Sequence, residues 1–242
     1  RIKADAIDEE LRDHLKLKKG EDAVMPTRFP DINNEGDLRR KVAELRDIAQ
    51  GVPVALKIAA GDIEKDLDMA VSAGVDVVVL DGAQGGTAAS PEITINNFGI
   101  PTLYALSRAE RHLRKKGVRD KVSLVISGGI RDSGDVLKAI ALGADAVYIG
   151  YAALFALVYS QLEDLDPGTS PTEMELYDGK QTEKLNVEEA AQSVANYLRA
   201  TAQELECGVR CLGKQSLREV CKDDLVALDR ETAEITGVRP AY

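Results

Sequence analysis

The chain has 242 residues, of which 44% are hydrophobic and 30% charged, the balance of a folded α/β domain rather than a disordered or fibrous chain. A formal net charge of −10 repels phosphate backbones and argues against nucleic acid as a partner, and no run of eighteen apolar residues offers a membrane span. Three cysteines and the lack of a signal-peptide pattern point to the cytoplasm.

The chain begins at Arg1 rather than Met and enters at once a charged helical stretch, "DAIDEELRDHLKLKKG", so it reads like the middle of a longer protein. "AVMPTRF" (23–29) is one more strand or an extended loop. From residue 35 a regular alternation sets in. "EGDLRRKVAELRDIAQG" carries Leu38, Val42, Leu45 and Ile48 at helical spacing and closes on Gly51. "PVALKIA" (53–59) reads as a strand, "DIEKDLDMAVSAG" as a helix ending at Gly74, and "VDVVVL" (75–80) as the next strand. Pro101 suits a first helical turn ahead of "TLYALSRAERHLRKKG". "KVSLVIS" (121–127), a helix in "RDSGDVLKAIALG" capped by Asp132 or Ser133, "ADAVYIG" (144–150) and the helix "YAALFALVYSQL" complete the series.

These are four βα units in succession. Their strands are continuous apolar runs, the pattern of a parallel sheet covered on both faces. Residues 163–185 are polar with two prolines in the first half and read as a loop excursion. Asn186 then caps a helix running to about Glu206, with Glu189 completing a capping box, and shorter helical pieces follow at 214–221, 223–228 and 231–236. The expected division is a sheet-bearing unit over 1–162, the excursion over 163–185 and a packed helical tail over 186–242.

Two features carry chemistry. "SGGIRDSGD" after the third strand places Ser127, Gly128 and Gly129 at a tight turn ahead of a helix N-terminus, and the next strand ends on Gly150 and Tyr151, again opening a helix. Exposed amides and helix dipoles at two adjacent strand ends make an anion site; ordinary βα turn chemistry is the alternative. Lys57, inside the otherwise apolar "VALKIAA", must bring its ammonium out at the strand's carboxyl end to meet an anion or an electron-rich ligand, or else snorkel at a strand edge. The loop "DGAQGGTAASP" from Asp81 to Pro91, including Gly85, Gly86 and Thr87, has almost no bulk, which lets its backbone approach a flat ligand or simply turn tightly.

With these residues in view, "PVALKIAAG", "DGAQGGTAASP", "GIPTLYAL", "VISGGIRDSGDVLKAIALGADAVYIG" and "DLVALDRETAEITGV" together resemble the FMN-binding domain of glutamate synthase and its stand-alone relatives. The resemblance implies the C-terminal half, about four βα units, of a TIM-type (β/α)8 barrel followed by a helical tail. It implies FMN as cofactor, with Lys57 as the catalytic cation at the N1–C2 edge of the ring. Gly128, Gly129, Gly150 and Tyr151 would hold the phosphate, Ser127 would bind the cofactor beside them, and Asp81, Gly85, Gly86 and Thr87 would line the ring and substrate side. The implied activity is FMN-dependent oxidoreduction of an amino acid or 2-oxo acid. Four parallel strands cannot close a barrel, so another polypeptide or segment is expected to supply the rest; the alternative is a non-catalytic structural subunit.

The family's cysteine cluster after the last barrel strand is missing. Cys207, Cys211 and Cys221, spaced C-x3-C-x9-C, match neither that cluster nor a zinc pattern and read as free buried thiols, so no iron–sulfur cluster is expected in this chain. Barrels of the IMP dehydrogenase type need a loop cysteine that 81–99 does not have, and a histidine base is disfavoured because His14 and His112 lie in charged helical stretches that read as solvated surface.

Overall fold

Short β-branched runs bounded by glycine and acidic caps fold into strands because each can bury one row of side chains under a following amphipathic helix. A computed structural model describes residues 2–24, 28–86, 90–176 and 179–242. After α1 (Glu9–His14) and α2 (Glu35–Ala49) come β1 (Ala55–Ala59), α3 (Ile63–Ala73), β2 (Val77–Asp81), α4 (Glu92–Asn97), α5 (Thr102–Lys115), β3 (Ser123–Ser127), α6 (Ser133–Ala141), β4 (Ala146–Tyr148) and α7 (Tyr151–Val158). The strands form one parallel sheet in the order β1-β2-β3-β4. β1 and β4 are its two edges, each paired on one side only among the described residues.

The register sorts side chains into two faces. Leu56, Ile58, Val78, Leu80, Leu124, Ile126 and Val147 turn toward the helices and join Ile63 and Leu67 of α3, Leu106 and Leu113 of α5 and Ala139 of α6 in one core. The opposite face carries Ala55, Lys57 and Ala59 of β1 and Ala146 and Tyr148 of β4, all exposed; Val79 and Val125 in the central strands are buried there. This corrects the expectation of strands covered on both faces. The apolar runs have two different causes: one residue row packs under helices, and the other forms a mostly small or aliphatic inner face that is open at both edge strands.

Capping decides the element boundaries. The Asp132 carboxylate accepts the Asp135 N–H at 2.9 Å, so Asp132 rather than Ser133 caps α6. Gln50 (φ 48°), not Gly51, is the left-handed cap of α2, and Pro101 stands at the cap of α5, one position ahead of its first turn. Residues 23–29 form no described strand: Ala23 makes a single antiparallel bridge to Ile2, and residues 25–27 lie outside the described residues.

The described residues of 163–185 include short 3-10 turns at Pro171–Met174 and Thr182–Lys184 and bury Met174 and Gln181, while buried Gln161 exchanges hydrogen bonds with Asn186. α8 (Val187–Cys211), capped by Asn186, runs past the expected end at Glu206; its Val209 packs with Ala141 of α6 and Val220. α9 (Arg230–Thr236) lies on α5, where the Arg111 guanidinium donates to the Ile235 carbonyl.

Two measurements test this framework. Leu124 is fully buried at the centre of the sheet, so Leu124→Ala lowers unfolding free energy by about 2–5 kcal/mol in denaturant titration. The Asp76 carboxylate accepts the Val54 N–H at 2.8 Å, which together with Arg46 holds its pKa below the ordinary 3.8. A depressed carboxylate contributes stability above its unfolded value and loses it as pH falls through its folded value. Thermal unfolding below pH ~4 therefore becomes less pH-dependent in Asp76→Asn.

Candidate functional site

Parallel pairing brings the carboxyl ends of all four strands to one rim. Ala59, Asp81, Ser127 and Tyr148 share one register row there, and Lys57, Val79, Val125 and Ala146 form the row below. Lys57 therefore stands on the inner face, one step behind the rim. Its Nζ lies 3.0 Å from Asp81 Oδ2, with the lysine side chain 52% and the aspartate side chain 18% exposed. The ammonium leaves the apolar strand at its carboxyl end. The other Asp81 oxygen, Oδ1, is buried with no hydrogen-bond partner among the described residues.

The small residues of 82–86 have a specific packing cause. A Cβ on Gly82 would sit 2.5 Å from the Thr102 Cα, and one on Gly128 (φ +112°) would sit 2.7 Å from the Gly85 nitrogen. Thr102 fastens the junction: its Oγ1 donates to the Gly128 carbonyl at 2.8 Å, and its N–H donates to Gln84 Oε1 at 2.9 Å. The Gly82 N–H donates to the Ser127 carbonyl at 2.9 Å. The close approach at Gly82, Gly85 and Gly128 is thus to protein: the β2–α4 loop is riveted to the tip of β3. Gly86 and Gly129 are exposed beside it, and Thr87 lies outside the described residues. Thr102 and Gln84 were not singled out from the sequence; the "GIP-T" step that starts α5 beside a run of glycines is the signal that could have found them.

The two helix termini at the rim differ sharply. Around the start of α6, Asp132 caps it, Asp135 accepts the Arg131 N–H at 3.2 Å, and Glu204 of α8 accepts the Ser133 hydroxyl at 2.6 Å. Asp135 is in turn paired with Arg131 and Lys138, so the start of α6 carries both signs of charge around its cap. The start of α7 has neither a side-chain cap nor an acidic residue in its first turn. A Cβ on Gly150 would meet nothing within 4 Å, and Tyr151 is 67% exposed. Among the described residues no backbone carbonyl accepts from the N–H of Gly128, Gly129, Gly150 or Tyr151. Gly129, Gly150 and Tyr151 are exposed on these neighbouring strand tips, while Gly128 is buried beneath the β2–α4 loop.

The remaining candidates stand elsewhere. His112 Nε2 lies 2.8 Å from Asp68 in the outer helical layer, with only 12% of the ring exposed, so it is a packed helix-to-helix tie rather than a solvated group. Its bond is the chief cause that keeps the Asp68 carboxyl below the usual range. Cys207, Cys211 and Cys221 are free, but all three are exposed, which corrects the buried reading: "ECGVRC" turns its cysteines out while Val209 packs inward. Among the described residues no group of three His, Cys, Asp or Glu side chains is arranged to hold a metal ion, and no helix is long and apolar enough to cross a membrane.

Residues 1–215 match the family model described as a conserved region in glutamate synthase. The chain belongs to the glutamate synthase family. It is 38% identical over 249 aligned residues to a glutamate synthase large subunit-like protein of Rhizobium meliloti (strain 1021), covering 96% of this chain and 56% of the relative. It is 36% identical over 248 residues to an archaeal-type glutamate synthase (NADPH) of Thermotoga maritima, covering 99% of this chain and 48% of that one. The chain thus spans about half the length of these curated relatives. Among solved structures, the flavin-binding domain of baker's yeast flavocytochrome b2 superposes with a TM-score of 0.50 at 20% identity, over 93% of this chain and 46% of that one. A mandelate oxidase superposes with the same TM-score and identity, over 87% and 48%. At that identity the likeness is one of fold: this family member has the α/β architecture of half a (β/α)8 barrel.

The riveted loop makes a sharp contrast between two glycines. Gly82→Ala drives a methyl into the Thr102 backbone and costs about 1–3 kcal/mol or prevents folding, whereas Gly150→Ala enters open space and stays within about 0.5 kcal/mol of the parent. Urea unfolding of the two variants measures the difference.

Proposed function

We propose that the chain supplies the phosphate-binding and ring-facing half of an FMN-dependent oxidoreductase of the glutamate synthase type, acting on an amino acid or 2-oxo acid in the cytoplasm. The observation that carries this reading is the pairing of a cation on the inner face, Lys57, with amides at the two adjacent strand tips that have no backbone acceptor among the described residues. A flavin mononucleotide needs both: main-chain donors for its phosphate, and positive charge near the ring edge where negative charge collects on reduction. The residues fit such a group. The amides of Gly128, Gly129, Gly150 and Tyr151 would take the phosphate, approached from the open side of Gly150.

Bound there, FMN would supply hydride or electron transfer. The chain's own part is to hold and tune. Lys57 would present its ammonium to the N1–C2 edge of the ring, with Asp81 and Ser127 beside it on the rim, and Asp81, Gly85 and Gly86 would line the ring and substrate side, as would Thr87, which lies outside the described residues. The unpaired edges of β1 and β4 call for the remaining barrel strands, supplied by another polypeptide or segment. Electrons would arrive from another subunit. Those same open edges favour a second reading, in which the chain is a structural subunit without turnover of its own.

The visible spectrum of the purified assembly separates the two. The first reading expects a flavin absorption band and quenching of added FMN fluorescence, with the uptake weakened in Gly150→Ala although its folding is unchanged. A colourless assembly that takes up no FMN refutes it.

A further inference from the structure

We propose that Asp81 is the positioning residue of this site: its carboxylate holds the Lys57 ammonium at the rim, and Lys57 delivers its charge to a bound flavin only through that hold. This deepens the flavin reading and rests on it.

The geometry assigns the two partners unequal roles. Asp81 is the fixed one. It closes β2, whose backbone is paired on both sides, its carbonyl accepts the Ala60 N–H at 2.7 Å, and its side chain is largely covered beneath the 82–86 loop. The covered oxygen, Oδ1, packs against Gly85, where even a Cβ would come within 3.3 Å. Only Oδ2 is presented to a partner, and Lys57 Nζ, at 3.0 Å, is the one cation paired with it among the described residues. Lys57 is the movable one. Its neighbours along the inner face of β1, Ala55 and Ala59, are small, so within this chain they do not confine its four-carbon stem. An untethered ammonium on such a face turns toward water. A fixed carboxylate one register row ahead instead draws it along the strand direction to the level of Ser127 and Tyr148. Because one Asp81 oxygen is buried and the other is engaged by Lys57, the carboxylate acts on a ligand chiefly by holding that ammonium.

A positioning role and a purely electrostatic one predict opposite signs. If Lys57 stays in place regardless, deleting the neighbouring negative charge leaves the ammonium less compensated and raises the flavin midpoint potential. If Asp81 holds Lys57, deleting it lets the ammonium leave the ring, and the midpoint falls as it does in Lys57→Met. The experiment compares Lys57→Met, Asp81→Ala, Asp81→Asn and the Lys57→Met/Asp81→Ala double variant in the FMN-loaded assembly, reading midpoint potential by dye equilibration.

The expected result is a fall in Asp81→Ala, a smaller fall in Asp81→Asn, which keeps an acceptor oxygen without the charge, and no further shift in the double variant beyond Lys57→Met. A rise or no change in Asp81→Ala and Asp81→Asn overturns the proposal, as does an additive double variant. Should Asp81→Ala not fold, Asp81→Asn decides by its sign alone. A second readout needs no flavin: nitrogen-15 relaxation of the lysine ammonium groups should find Lys57 Nζ more restricted than exposed Lys65 in the parent, less restricted in Asp81→Asn and as mobile as Lys65 in Asp81→Ala. Equal mobility in the parent overturns the hold even where FMN binds. A restricted Lys57 in a protein that takes up no FMN overturns the flavin reading instead, and with it the delivery of charge proposed here.

Discussion

The constraint on which everything else depends is that all four strands run the same way. Parallel pairing places every carboxyl end on one rim, so residues far apart in sequence, Lys57, Asp81, Ser127 and Gly150, become neighbours without any of them having to be brought in by a long loop. The helices meet this rim only with their first turns, at Thr102, Ser133 and Tyr151. They lie against the other face, where Leu80, Leu124 and Ile126 are sealed beneath α3, α5 and α6. Stability and chemistry thus occupy opposite faces of one sheet, and a substitution on one face need not disturb the other.

At the rim itself the two functions do meet, at the junction of Gly82, Gly85, Gly128 and Thr102. Backbone packs directly on backbone there, at separations no side chain tolerates. The consequence is a β3 tip whose carbonyl at Gly128 is already used, by Thr102, while its amides are left over. A turn that spends its acceptors internally and leaves its donors unpaired has a polarity suited to anions. The start of α6 is occupied by its own carboxylates, with Asp132 as cap, Asp135 paired with Arg131 and Lys138, and Glu204 on Ser133, whereas the start of α7 has no side-chain cap.

Much of this was legible in the amino-acid order. The four strands, their intervening helices and the cap at Asn186 follow from apolar runs, helical spacing and acceptor side chains, which act over a few residues. Lys57 stood out because a cation in a short apolar strand is tolerated only with an exit for its ammonium, at the carboxyl end or at a strand edge, and β1 offers both. What stayed hidden depends on distant parts of the chain. That Glu204 would lie over Ser133 requires α8 to fold back across 71 residues of sequence. Likewise the sequence cannot show that Asp81 presents one oxygen and buries the other, because the covering loop is positioned by Thr102 from the next helix. The exposed cysteines have a similar origin: small size and modest polarity suggest burial, but the face of α8 that packs is set by Val209 and Ala190.

The inner face is the last step. In a closed barrel the inward rows of opposite strands fill the lumen together, and a row of Ala55, Lys57 and Ala59 beside Val79 and Val125 is half of such a filling. Alanines flanking the lysine leave room above the face instead of bulk. Two large aromatic side chains stand at the other edge, Tyr148 at the end of β4 and Tyr151 at the start of α7, both exposed. The sheet is therefore asymmetric: small residues and a cation at the β1 edge, aromatic rings at the β4 edge, with unpaired main-chain donors between β3 and β4. A flat, electron-accepting ring with a phosphate tail has the same asymmetry, one end seeking amides and the other a cation, and strands of the same polarity added at both edges would enclose it without displacing any residue that faces it.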